Sequence, residues 1–116
     1  MSSPYVRTVH KNNWKSALED AKTQKKLLVM MFMAPWSEPS KLMNPIVANS
    51  IAPDFSDKAH FCMLDVDEFK DLARALRVEA LPTFLLVKDY YVKERIVGVD
   101  RDELRNRIIK LTAGST

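Results

Sequence analysis

The chain holds a single cysteine, Cys62, and two histidines, His10 and His60, in 116 residues. One thiol cannot close an internal disulfide, and the clustered Cys and His that zinc requires are missing, so neither a metal nor a cofactor is expected. No apolar run approaches the ~20 residues that cross a bilayer. The opening MSSPYVRTVHKNN lacks the charged-then-apolar order of a secretory leader, which makes the cytosol the expected location and a membrane role unexpected. A basic block is missing too. The net charge of +3 is the balance of 18 Lys and Arg against 15 Asp and Glu, with both signs interleaved along the chain, and nucleic-acid binding needs a clustered patch.

What is present is enough for one core. At 47% hydrophobic and 28% charged, a chain of this length reads as one globular domain over 1–116, able to bury about two thirds of its unfolded surface. Its core is expected over about 5–112, with 113–116 fraying.

Period and punctuation place the elements. YVRTVH (Tyr5 to His10) has β-branched residues at alternate positions and predicts a short strand. Asn12 or Asn13 can cap an amphipathic helix, NWKSALEDAKTQKK, with Trp14, Leu18 and Ala21 or Lys22 along one face. LLVMMFMA (Leu27 to Ala34) has no polar residue and predicts a strand buried on both faces. Leu42, Met43, Ile46, Val47 and Ile51 recur at helical spacing, while Pro45 predicts a kink and Pro53 an end or second bend.

The second half continues the alternation. HFCMLDVDE (His60 to Glu68) predicts another strand, ended by acidic residues able to cap the helix EFKDLARALRV, whose inner face is Phe69, Leu72, Ala73 and Leu76. ALPTFLLVKDYYVKERIVGV predicts a hairpin turning at Lys88-Asp89-Tyr90-Tyr91. DRDELRNRIIKL predicts a closing helix capped by Asp100, with Leu104, Ile108, Ile109 and Leu111 inward. The order βα, βα, βα, ββα belongs to α/β sandwiches with helices on both faces of a mixed sheet.

Several motifs then fall in a known order: Trp36-Ser37-Glu38-Pro39-Ser40-Lys41, Pro45, LDVDE, Leu81-Pro82-Thr83, Lys88-Asp89-Tyr90 and Gly98. Over roughly residues 5–112 this resembles the thioredoxin family, whose members carry Trp-Cys-Gly-Pro-Cys-Lys at a helix start, a proline five residues later, a Pro-Thr pair and a late hairpin and glycine. The plant cytosolic h-type branch is the most similar, above all its CXXS-type members. The resemblance implies a thioredoxin fold, about five strands in a mixed sheet flanked by about four helices, and a cis Leu81–Pro82 bond.

The departures lie at the chemistry. The resemblance puts Ser37 at the position of the nucleophilic cysteine, Ser40 at that of the resolving one, and Met31 where thioredoxins bury an aspartate that assists proton transfer. Disulfide exchange needs a thiolate, and a serine hydroxyl at neutral pH neither ionises usefully nor forms a mixed disulfide. A hydrolytic serine would need an adjacent oriented base, and neither His10 nor His60 has a sequence reason to face Ser37.

Ser37 as N-cap, Glu38 at the positive helix end and Pro39 in the first turn also make a sound helix start with no chemistry at all. Cys62, inside an apolar strand, reads as a small core residue, against peroxide sensing or an intermolecular disulfide. Trp36 is either an exposed contact anchor or a lid over the helix start. The cis turn at Pro82 either completes the fold or exposes the preceding backbone to an extended peptide. Tyr90 stands where glycine would supply positive φ, so the turn takes another geometry or accepts strain.

Two functions follow. The first is a redox-inactive, thioredoxin-like module that binds a peptide or protein partner through Trp36, Glu38, Pro39, Leu81, Pro82 and Thr83. The alternative is a thiol-disulfide oxidoreductase of the isomerase type whose cysteine at position 37, or at 37 and 40, has been exchanged for serine. Met31 favours the first, because silencing the thiols does not require replacing a buried aspartate.

Overall fold

The longest apolar run in the chain becomes the central strand of a five-stranded sheet. In the computed structural model, which describes residues 3–113, the order is β1 (Val6–Thr8), α1 (Trp14–Thr23), β2 (Leu27–Met33), α2 (Glu38–Ile46), β3 (Ala59–Asp65), α3 (Lys70–Ala75), β4 (Thr83–Lys88), β5 (Tyr91–Val97) and α4 (Arg101–Thr112). Beyond Ile46, α2 runs on through a π-helical stretch (Val47–Ile51) and a last α turn (Ala52–Asp54). The strands lie in the order β1-β3-β2-β4-β5, with β1, β3 and β2 mutually parallel and β4 antiparallel to both β2 and β5. This is the thioredoxin fold.

All seven residues of β2 are buried because helices cover both faces of the sheet. Successive side chains alternate between two cores. Val29 and Met31 join Phe84 and Leu86 against Met43, Val47 and Ile51 of the α2 helix and Leu104 and Ile108 of α4. Leu28, Met30 and Phe32 join Cys62, Leu64 and Leu85 against Ala17 and Ala21 of α1 and Ala73 of α3. Each large side chain fully buried in this way contributes about 1.5–3 kcal/mol.

Several local expectations are corrected. β1 is shorter than Tyr5–His10, although Val9 still donates to the Met63 carbonyl at 3.1 Å. Asn13 does stand at the N-cap of α1, yet its side chain accepts from the His10 N–H (2.8 Å) instead of a helical donor. Of the alternatives Ala21 and Lys22, Ala21 is buried and Lys22 exposed, and Ala17 joins the inner face as well. No acidic side chain caps α3: its N-cap position is taken by Phe69, whose ring is buried in the core. Ile109 is 50% exposed: in α4 the i, i+4 pair Leu104 and Ile108 faces the sheet, and Ile109 falls a full 100° round. Of the expected frayed tail, Ala113 is a turn residue and 114–116 lie outside the described residues.

Pro45 does not stop the helix. It removes one donor, and just beyond it the ladder widens, with the Ala52 N–H donating to Val47, five residues back.

Candidate functional site at the C-terminal ends of β2 and β3

β2 and β3 are parallel, so their C-terminal ends open onto one side of the molecule, where β2 leads into α2. Ser37 is the N-cap of α2, in extended backbone (φ −85°, ψ 116°), and its Oγ accepts from the Ser40 N–H at 3.3 Å. Ser40 Oγ in turn accepts from the Ala34 N–H at 3.4 Å. Both serines are nearly closed off, 6% and 0% exposed. Glu38 and Pro39 fill the first turn and stay exposed, and Lys41 Nζ reaches Glu38 Oε1 at 3.4 Å.

Trp36 is 65% exposed. Its indole N–H donates to Asp67 Oδ2 at 2.8 Å, and Asp67 is itself positioned by its N–H, which donates to Asp65 Oδ1 (2.8 Å). The indole is thus tethered through its N–H while most of its surface stays open to solvent. Asp67 was not singled out from sequence, although it belongs to the acidic strand end LDVDE.

The Leu81–Pro82 peptide is cis. The register that pairs Thr83 with Phe32 brings it to the same end of the sheet as Ser37. Thr83 is buried and donates through Oγ1 to the Ala80 carbonyl (2.6 Å), while the Pro82 carbonyl accepts from the Gly98 N–H (2.9 Å). Among the described residues the backbone N–H and C=O of Leu81 have no hydrogen-bond partner. Beside this turn a cleft of about 370 Å3 is lined by Arg77, Glu79, Thr83, Arg95 and Val97, among others.

The thioredoxin family profile matches residues 5–110. The chain belongs to the thioredoxin family. It is 37% identical over 108 residues to thioredoxin H4 of Arabidopsis thaliana, covering 92% of this chain and 90% of that one. It is 38% identical over 96 residues to the thioredoxin-like protein CXXS1 of the same plant, covering 83% and 80%. Among solved structures, the thioredoxin NaTrxh of Nicotiana alata superposes with a TM-score of 0.85 at 36% identity over 95% of each chain.

Within the family frame, this chain carries one cysteine, which lies outside the helix start. Met31, which the resemblance puts at the position of a buried aspartate, is 2% exposed in the core under α2. No histidine reaches the serines: His10 Nδ1 pairs with Glu68 Oε1 at 3.0 Å, and His60 Nε2 lies 2.9 Å from Gln24 Oε1. The one thiol, Cys62, is buried in β3 with its pKa pushed up to about 12 by burial, away from any helix N-terminus that would lower it. Among the described residues no group of three or more Cys, His, Asp and Glu could hold a metal ion, and no helix is long and apolar enough to cross a membrane.

Proposed function

We propose that this thioredoxin-family chain performs no dithiol exchange and holds an extended peptide segment of a protein partner across the Trp36–Ser37 turn and the Leu81–Pro82 turn. The observation that carries the reading is the unpaired Leu81 backbone lying at the same end of the sheet as the exposed Trp36. An unpaired donor and acceptor at the start of a strand accept a further strand, and the indole supplies the apolar anchor. Ser37 and Ser40 support the same reading from the other side. Their hydroxyls accept from the backbone of the helix start, so they finish a cap and neither faces a base.

Two measurements test it. The chain should fail to reduce insulin with dithiothreitol as electron source. Among a panel of extended peptides, the binders should perturb the Leu81 amide resonance and Trp36 fluorescence together, and Trp36→Ala should weaken them about tenfold or more. Binders that leave Leu81 untouched would sink the proposal. The isomerase alternative is addressed by Ser37→Cys: appreciable refolding of scrambled ribonuclease by that variant favours an exchanged cysteine, and its absence favours a binding module.

A further inference from the structure

Lysines that are scattered in the sequence converge at the end of the sheet opposite Ser37 and Pro82. The topology gathers them: β2 and β3 begin at this end and antiparallel β4 finishes there. Lys25 and Lys26 precede β2, Lys58 precedes β3, and Lys88 closes β4. All four line one cleft of about 630 Å3, where the acidic members are Asp57 and Asp89. Lys22 stands nearby, its Nζ 4.4 Å from the ring centroid of Tyr90 in the adjoining hairpin.

These charges are not spent internally. Among the described residues no ion pair engages Lys25, Lys26, Lys58 or Lys88, nor Asp57 or Asp89. Lys26 Nζ donates to the Ser56 carbonyl at 3.1 Å, which fixes one ammonium at the cleft. The backbone donors of the turn are already used: the N–H groups of Gln24, Lys25 and Lys26 close α1 on Asp20, Lys22 and Ala21. Recognition therefore falls to the ammonium groups, whose mutual repulsion an anion relieves.

We propose that this cleft binds a compact polyanion, a chain of two or three phosphates, either free or as part of a small metabolite. Its volume is that of small-molecule sites. The cations are confined to one end of the sheet rather than drawn out in the stripe a nucleic-acid strand follows. With four lysines against the two carboxylates of Asp57 and Asp89, the lining is net positive, and a compact polyanion complements it within one cleft. The site is separate from the partner-binding face and independent of its chemistry.

Calorimetric titration of the whole chain with inorganic tripolyphosphate at low ionic strength tests this. One-to-one binding is expected, at least about tenfold tighter than orthophosphate, and weakened about tenfold as salt rises from roughly 20 to roughly 200 mM. Lys58→Gln and Lys88→Gln should each weaken it about fivefold, while Lys70→Gln, at the other end of the molecule, leaves it unchanged; circular dichroism confirms that each variant is folded. The proposal is overturned by no saturable binding at low salt, by equal affinity for orthophosphate, or by full affinity in both cleft variants. It is equally overturned if phosphatidylserine vesicles or polyglutamate bind through these lysines and tripolyphosphate does not.

Discussion

At the residue scale, Ser37 does in this chain what a side-chain oxygen does at any well-formed helix start, and its substitution separates capping from chemistry. Ser37→Ala is expected to cost about 1 kcal/mol in urea unfolding, with no change in any redox assay. His60, Glu68 and Glu94 contribute to the pH response, Glu94 being held below its ordinary 4.5 first by the hydrogen bond from Lys110. Burial, then the charges of Lys26 and Arg7, hold His60 below its ordinary 6.5. The hydrogen bond from His10, then that from the Lys11 N–H, holds Glu68 below its ordinary 4.5. In both windows the unfolded chain binds more protons, so stability rises with pH. The urea midpoint should therefore fall as pH drops through 6.5 toward the His60 value and again below 4.5. His60→Gln should flatten the first limb, and Glu68→Gln should shallow the second while leaving the part that Glu94 contributes.

At the scale of elements, the β4–β5 turn accepts the strain that its lack of glycine foreshadows. Asp89 and Tyr90 have φ of 52° and 72°, the left-handed pair that matches strand twist in a two-residue hairpin. Tyr90 is a poor residue for it, and its ring against Lys22 offsets part of the cost. Tyr90→Gly should relieve about 1 kcal/mol of backbone strain, lose about 0.5 kcal/mol of ring contact, and raise the melting temperature slightly. With Lys22→Ala already in place, the same change should gain more. The apolar run at 27–34, the hairpin and the Asp100 cap were legible because each is a local pattern; Asp100 indeed accepts from the Glu103 N–H at 3.0 Å. The π-helical widening after Pro45 was not, since sequence shows the missing donor but not how the remaining carbonyls regroup. The Trp36–Asp67 bond joins residues from two loops, and no spacing rule relates them. Spacing likewise hid the lysine cleft: the chain looks evenly mixed in charge until parallel β2 and β3 bring their beginnings together.

For the whole molecule, the core is now committed to an apolar centre. Met31 lies opposite Met63 and Phe84 on neighbouring strands. Met31→Asp would bury a carboxyl among these side chains, and an expected loss of at least about 3 kcal/mol should be seen in denaturant unfolding. Restoring dithiol chemistry in this frame therefore conflicts with stability, and a Ser37→Cys/Ser40→Cys variant should reduce insulin more slowly than an intact family member. The buried position of Cys62 has a separate use. Cys62 lies on the sheet face covered by α1 and α3, among Ala17, Ala21 and Ala73, so a reagent in solution meets this sulfur when that helix layer lifts from the sheet. Since the chain has no second thiol, the rate at which it consumes such a reagent under native conditions counts openings of that helix layer, one molecule at a time, and the protein carries its own clock for opening of its core.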